Sequence, residues 1–267
     1  MKRPKAPNNK AAVLIAVTTC LLGAILAIAY QREPSAPPAA PPPEAPAART
    51  AAPMSNTTAS RTHFDFYLLA MTVHAAWCAD GNANRRECRA GSDRPLVIHG
   101  LWPERLEPRT YSRDCAGPRL DLEADTESAL RPFMPGMQSG LHEHEWREHG
   151  TCSGLGDDDY FRATLTLARG LDALRDILTT HAGDTIDAAD FRAAANRLQP
   201  GVGRTFTLHC RTLRDAPTGK STRPHLVEVR QCVDDDGPGG APGTPLDCAS
   251  VKRRDQGCGG SFGIAAR

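Results

Sequence analysis

The chain has 267 residues and a formal net charge of +1, and 40% of its residues are hydrophobic. This length allows one sizeable globular domain with appended segments. The near-zero charge excludes a broad basic surface that attracts nucleic acid over long distances, so any recognition of phosphate must come from a local site.

The first sixty residues combine an export segment with a linker. Residues 11–30 are uncharged and mostly apolar, follow a basic stretch, and are long enough to cross a bilayer as a helix. An Ala-Ile-Ala triplet near their end matches a signal-peptidase site, so residues 1–30 are either a signal peptide or a signal anchor. Residues 31–60 are rich in proline and alanine, which is typical of a disordered linker. We expect an exported protein, periplasmic or extracellular, that touches a membrane only through residues 11–30 if these stay uncleaved.

The predicted globular domain covers residues 61–267. Alternating apolar and β-branched residues predict strands, and helical periodicity predicts helices. The predicted strands are residues 63–73, 96–98, 205–210 and 225–233, and the predicted helices are residues 126–131, 160–178 and 187–198. Gly150 is placed to end one further helix. This mixture predicts an α+β fold, in which helices pack on a mostly antiparallel central sheet.

Eight cysteines lie in this domain: Cys78, Cys88, Cys115, Cys152, Cys210, Cys232, Cys248 and Cys258. An even number of cysteines in an exported domain predicts disulfides, although the sequence alone permits roughly a hundred pairings. No CxxC pair occurs, so a cysteine-based metal site is the less favoured interpretation.

Residues 141–153, LHEHEWREHGTCS, concentrate histidines and carboxylates. With about 100° of rotation per helical residue, four of these side chains would point into one sector of a helix: His144, Glu145, Glu148 and His149. Such a face packs poorly but suits proton transfer, because histidine changes charge near neutral pH.

Two other interpretations of this segment stay open. Zinc-binding helices use the spacing HExxH, whereas His144 and His149 follow HExxxH and diverge around the helix, although His142 would add a third ligand. Alternatively, the charged side chains form a solvated helix face, as most runs of charge do.

Residues 96–104, LVIHGLWPE, form a second unusual segment. A short apolar run, typical of a buried strand, ends at His99 and is followed by Gly100 and Trp102. This arrangement is typical of a strand that opens onto a pocket. The alternative is a histidine hydrogen-bonded within the core, with the indole as packing.

Together the two segments resemble a known family. IHGLWP followed by HEW and HGTCS is similar to the two signature segments of the ribonuclease T2 family of secreted, transferase-type ribonucleases. The resemblance extends over about residues 61–267 and implies the α+β architecture of that family. It also implies a monomeric, metal-independent endoribonuclease without a cofactor. Such an enzyme cleaves single-stranded RNA with low base specificity and leaves 2′,3′-cyclic phosphate ends.

The resemblance implies a role for each histidine of the signatures. His149 would act as the general base on the 2′-hydroxyl, and His99 as the acid that protonates the leaving oxygen. His144 would bind phosphate, and Glu145 would orient or tune His149.

Further contacts are also implied by the resemblance. Trp102 would stack on a base, Glu104 would contact a base edge, and Tyr111 would add stacking. The implied disulfides are Cys78–Cys88 and Cys115–Cys152, with the last four cysteines pairing among themselves.

Glu148 departs from the family pattern, because the family usually has a lysine at this substrate-contacting position. A carboxylate has the wrong charge to stabilise phosphate, so we expect a slower enzyme or one that recruits an arginine. Arg147 lies about 100° away around a helix and substitutes only if its side chain folds back. The alternative is a catalytically weak or silent exported RNA-binding domain.

Overall fold

The computed structural model describes residues 63–90, 92–107, 113–213 and 223–266, which form six strands and seven α-helices. All of these residues belong to one compact unit, Met54–Arg267. The predicted export segment and linker lie outside the described residues. Within the described ranges, no helix is both long and apolar enough to cross a membrane.

Runs of helices and runs of strands follow one another along the chain, as is typical of an α+β fold. The strands are β1 (Phe66–Val73), β2 (Leu96–Glu104), β3 (Thr185–Asp187), β4 (Phe206–Arg211), β5 (His225–Val233) and β6 (Ser261–Gly263). The helices are α1 (His74–Trp77), α2 (Arg86–Ala90), α3 (Ala124–Leu130), α4 (Leu141–Glu148), α5 (Asp157–Gly170), α6 (Ala173–Thr180) and α7 (Ala188–Leu198).

The strands form one sheet in the order β2-β1-β5-β6-β3, and β4 pairs with β5. The described pairings are antiparallel except between β5 and β6, which meet in parallel. The predicted α+β class with a mostly antiparallel sheet is therefore confirmed.

Side chains of β1 divide between two apolar clusters, because successive residues of a strand point to opposite faces. Tyr67, Leu69 and Met71 belong to the larger cluster, which also contains residues of α4, α5, α6 and α7. Leu68 and Ala70 belong to a smaller cluster that includes Trp102 of β2. The helices thus cover one face of the sheet, whereas Trp102 belongs to the cluster on the other face and lies beside His99 and His149.

The structure corrects two details of the predicted helices. Residues 160–178 are split between α5 and α6, because α5 ends at Gly170, a residue of low helix propensity. Helix α4 ends at Glu148, and Gly150 begins a 3-10 turn without the left-handed conformation of a capping glycine. A Cβ at Gly150 would instead overlap the ring of Trp146, which explains why glycine is needed there.

All eight cysteines of the domain form disulfides. The bridges implied by the resemblance, Cys78–Cys88 and Cys115–Cys152, are present. The last four cysteines pair as Cys210–Cys258 and Cys232–Cys248. The Cys115–Cys152 bridge anchors the segment that directly follows α4.

Candidate active site

His99 lies at a β-bulge in β2, the outer strand next to β1. The register pairs Met71 with Ile98 but Ala70 with Gly100, so His99 is an extra residue without a place in the ladder. Bulges re-aim side chains and are common beside active sites. The His99 side chain keeps 37% of its surface exposed, although it lies in a strand that is otherwise mostly buried.

Glu145 projects from α4 into the space beside His99. Its side chain is only 1% exposed, and its Oε2 accepts a hydrogen bond from Trp102 Nε1 at 2.8 Å. Its other oxygen, Oε1, lies 3.6 Å from His99 Nε2. Gly100 permits this close approach of α4 to β2, because a Cβ at that position would overlap the Glu145 carboxylate.

His149 follows the last residue of α4 and leaves the helical path, with φ −127° and ψ −49°. Its Nε2 lies 3.9 Å from Glu145 Oε2, and its side chain is 8% exposed. The indole of Trp102 contacts both imidazoles, with ring centroids 5.2 Å from His99 and 5.4 Å from His149. The Glu145 carboxylate and the Trp102 indole therefore each lie beside both His99 and His149.

The surroundings push the proton affinities of the two imidazoles in opposite directions. Burial lowers the pKa of His149 to about 3, and the positive charges of His144 and His99 act in the same direction. Burial also opposes protonation of His99, but its hydrogen bond to Glu228 and the charges of Glu228 and Glu145 outweigh this and raise its pKa. At neutral pH, His149 is neutral, whereas His99 holds its proton more firmly than an ordinary histidine.

Burial raises the pKa of Glu145 to about 7, and the negative charges of Glu228 and Glu148 add to this. The nearby His99 and the hydrogen bond from Trp102 act in the opposite direction. The carboxyl group that joins the two histidines therefore exchanges its own proton near neutral pH.

His144 and Glu148 lie on the exposed side of the same cluster, together with Arg147. The Arg147 guanidinium folds back along the helix: its Nη2 lies 3.2 Å from His144 Nδ1 and 3.1 Å from Glu148 Oε1. Arg147 is the first cause of the lowered pKa of the Glu148 carboxyl. Of the four side chains that the sequence placed in one sector, Glu145 and His149 are thus buried, His144 is exposed and Glu148 is half-buried.

A comparison with known protein families agrees with this geometry. The model of the ribonuclease T2 family matches residues 64–239 of the chain. The chain belongs to the ribonuclease T2 family.

Individual relatives of the T2 family match different shares of the chain. A ribonuclease of Aeromonas hydrophila is 38% identical over 98 residues, which are 36% of this chain and 41% of that protein. Ribonuclease 1 of Arabidopsis thaliana is 28% identical over 200 residues, which are 69% of this chain and 82% of that protein. Human ribonuclease T2 is 30% identical over 128 residues, covering 43% of this chain and 48% of the human protein.

Solved structures of the T2 family share this fold. Ribonuclease MC1 from bitter gourd seeds superimposes with a TM-score of 0.54 at 25% identity, over 75% of this chain and all of that one. RNase NT in complex with 5′-AMP gives a TM-score of 0.55 at 21% identity, over 76% of this chain and 99% of that one.

The family resemblance also implies contacts with a base for Trp102, Glu104 and Tyr111. Trp102 is 8% exposed, and the guanidinium of Arg230 lies over its ring, 5.0 Å from the centroid. This leaves little of the indole to a base, so stacking by Trp102 stays a prediction that the burial does not favour. Glu104 forms an ion pair with Arg253 at 2.9 Å, and its contact with a base edge likewise stays a prediction. Tyr111 lies outside the described residues.

Glu228 and Arg230 of β5 are site residues that the sequence did not reveal. Glu228 Oε1 lies 2.7 Å from His99 Nδ1, and Arg230 Nε donates a hydrogen bond to the other oxygen of Glu228. Two charged residues at alternate positions of a strand are common, so the sequence gives no signal that they belong to the site. They come close to His99 only because β1 pairs with both β2 and β5.

The described residues contain no group of three or more His, Cys, Asp or Glu side chains arranged to hold a metal ion. The charges that act on His142 are those of Glu143, Glu127 and Arg131, and none of the carboxylates beside His99 is among them. The side chains at the site are instead arranged as imidazoles around a carboxylate, which is suited to moving protons.

Proposed function

We propose that the chain is a metal-independent endoribonuclease that cleaves single-stranded RNA. The 2′-hydroxyl of one nucleotide attacks the adjacent phosphorus, and the bond from phosphorus to the next 5′-oxygen breaks. The product strand ends in a 2′,3′-cyclic phosphate. The observation that carries this proposal is the pair of imidazoles on either side of Glu145, which differ in proton affinity.

His149 suits the general base, because its ring is neutral at neutral pH and able to accept the proton of the 2′-hydroxyl. A bound phosphodiester brings a negative charge, which raises the proton affinity of this ring during the reaction. His99 suits the general acid, because its raised pKa keeps a proton available for the leaving 5′-oxygen. Each such group contributes about 10²- to 10⁴-fold to the rate.

His144 and Arg147 suit the binding of the phosphate. Both side chains lie at the exposed edge of the site, and the guanidinium lies between the imidazole and Glu148. Oriented cations stabilise the charge that develops on the phosphoryl oxygens. Arg147 thereby offsets the loss of the family's lysine at position 148, which argues against the silent RNA-binding domain.

We further propose that the enzyme acts outside the cytoplasm, as a monomer and without a cofactor. Its four disulfides are typical of an oxidising compartment. Trp102 is buried, and the half-buried Glu104 is paired with Arg253, so both offer few groups for reading a base, which supports low base specificity. A ribonuclease MC1 variant with a similar fold was crystallised with 5′-GMP, which supports nucleotide binding by this family.

The test is to incubate the purified, oxidised protein with homopolymeric RNA in EDTA and to identify the product ends by mass spectrometry. We expect 2′,3′-cyclic phosphate ends, and losses of at least about 10²-fold in His99→Ala and His149→Ala. His142→Ala is the matched control, because it removes an imidazole from α4 whose charged neighbours, Glu143, Glu127 and Arg131, are not residues of the proposed site.

Three results would contradict the proposal. Activity that EDTA abolishes would indicate a metal-dependent hydrolase. An absence of cleavage by the folded protein from acid to neutral pH would favour the silent RNA-binding domain. An equal loss in His142→Ala would mean that activity falls with the loss of any imidazole in this region and does not depend on His99 and His149 in particular.

A further inference from the structure

A carboxylate lies behind His99, on the opposite side from the buried pair. Strand β1 separates β2 from β5, and Glu228 of β5 is paired with Thr72 of β1. The bulge turns His99 toward β5, so that its Nδ1 meets Glu228 Oε1 at 2.7 Å. Without the extra residue, the strand would alternate normally and the contact across β1 would be lost.

Both oxygens of Glu228 are engaged, and its side chain is only 9% exposed. One oxygen faces His99, and the other accepts a hydrogen bond from Arg230 Nε. Burial alone would favour the neutral carboxyl, but the hydrogen bond from His99 and the charge of Arg230 outweigh burial and lower the pKa of Glu228. Glu228 therefore stays ionised throughout the pH range in which Glu145 gains and loses its proton.

We propose that Glu228, held by Arg230, is the positioning residue of the general acid. It accepts the Nδ1 proton of His99, so that the proton transferred to the 5′-oxygen is the one on Nε2. This inference deepens the proposed function and rests on the role of His99 as the acid.

The physical reason has two parts. A neutral imidazole carries its proton on either nitrogen, and an acceptor at Nδ1 selects the form whose Nε2 takes up and releases the catalytic proton. A permanently ionised carboxylate also favours the imidazolium form. Glu145 cannot supply this constant charge, because its own pKa is about 7.

The other ionisable groups around His99 do not replace Glu228. They are Arg230 of β5, Glu145 of α4, His149 directly after α4, and His209 of β4, which is paired with Glu228. The cation of Arg230 opposes protonation of His99. Burial lowers the pKa of His209 to about 4, so this ring is neutral in the working range.

The test compares two substrates that differ in how much they need an acid. A dinucleotide has a strongly basic 5′-oxygen that must be protonated as it leaves. The 4-nitrophenyl ester of the same 3′-nucleotide has a weakly basic leaving group that departs without a proton. A residue that acts through the acid therefore affects the first substrate far more than the second, whereas general structural damage affects both.

We expect Glu228→Gln to lose about 10- to 100-fold in kcat/KM on the dinucleotide and less than about 3-fold on the nitrophenyl ester. We also expect the alkaline limb of its pH profile on the dinucleotide to move to lower pH, because His99 loses its proton more easily. Glu87→Gln is the matched control: Glu87 is also buried, but it accepts a hydrogen bond from Ser139 elsewhere in the fold.

His99→Ala, measured on the same two substrates, separates the failure of this inference from that of the proposed function. If His99→Ala is selective for the dinucleotide but Glu228→Gln is not, the role of Glu228 is wrong and the acid assignment stands. If His99→Ala is not selective, the acid assignment fails and the role of Glu228 fails with it.

A measurement on the unmodified protein covers the case in which Glu228→Gln does not fold. The ¹⁵N chemical shifts of the imidazoles distinguish the two neutral forms of histidine. We expect neutral His99 to carry its proton on Nδ1. A neutral His99 with its proton on Nε2 would overturn the proposal.

Discussion

Replacing Glu145 by glutamine should stabilise the fold at alkaline pH while it weakens catalysis. Glutamine has nearly the same shape as glutamate, and its amide oxygen can still accept the hydrogen bond from Trp102 Nε1. What the substitution removes is a carboxyl group that is buried to 1% exposure and ionises inside the protein.

The magnitude follows from the two pKa values of this carboxyl. It has the ordinary value of 4.5 in the unfolded chain and about 7 in the folded protein, so between these pH values the folded protein binds more protons. Stability is therefore lost as the pH rises from 4.5 through 7. This shift corresponds to a penalty of about 3 kcal/mol that is complete above the folded pKa. This penalty is already net of the attraction to protonated His99, which is one of the influences that lower the pKa of Glu145.

The assay is urea unfolding of both proteins at pH 4 and pH 8 with the disulfides intact, followed by tryptophan fluorescence. We expect nearly equal free energies of unfolding at about pH 4 and a more stable Glu145→Gln protein at about pH 8. Activity should fall by about 10- to 100-fold, because the group that joins the two histidines is no longer charged. A variant that is less stable at pH 8, or equally shifted at both pH values, would refute the reasoning.

Two further predictions concern the exposed edge of the site and the end of α4. Arg147→Ala should lower kcat/KM on RNA by about 10-fold, since a charged hydrogen-bonding group is lost, and Glu148→Lys in that background should restore activity by returning a cation. Steady-state kinetics of the single and double variants checks this, and no recovery would contradict it. Replacing both Cys115 and Cys152 by alanine opens a bridge with a sequence separation of 37 and should reduce the free energy of unfolding by about 4 kcal/mol. The Cys78–Cys88 bridge, with a separation of 10, is the control, and urea unfolding should show a smaller loss of stability when it is removed.

Patterns within short segments were sufficient to predict most of the fold. The strand at His225–Val233 has the predicted bounds, and the helix near residues 187–198 begins one residue later than predicted. Apolar periodicity succeeds here because it records which side of each element faces the interior. It failed at residues 160–178, where one predicted helix is two, because periodicity does not record a local break at Gly170.

The signature residues of the site were also accessible from the sequence. His144, Glu145 and His149 lie within six residues, so their closeness in the chain was enough to predict one site, although His149 lies beyond the end of α4. The sequence did not show that Glu145 and His149 are buried whereas His144 is exposed. Nor did it show that Arg147 folds back between His144 and Glu148, because rotation around a helix does not determine the path of a long side chain.

By itself, the sequence determined the family, the fold class, the eight disulfide cysteines and the identity of the signature histidines. Only the tertiary structure decided the pairing of the last four cysteines and the partner of His99. Glu228 is 129 residues away from His99 and reaches it across β1. Such contacts depend on which strands are neighbours and on one inserted residue at a bulge. Neither property leaves a local pattern in the chain, so the group that orients the acid becomes visible only when the sheet is assembled.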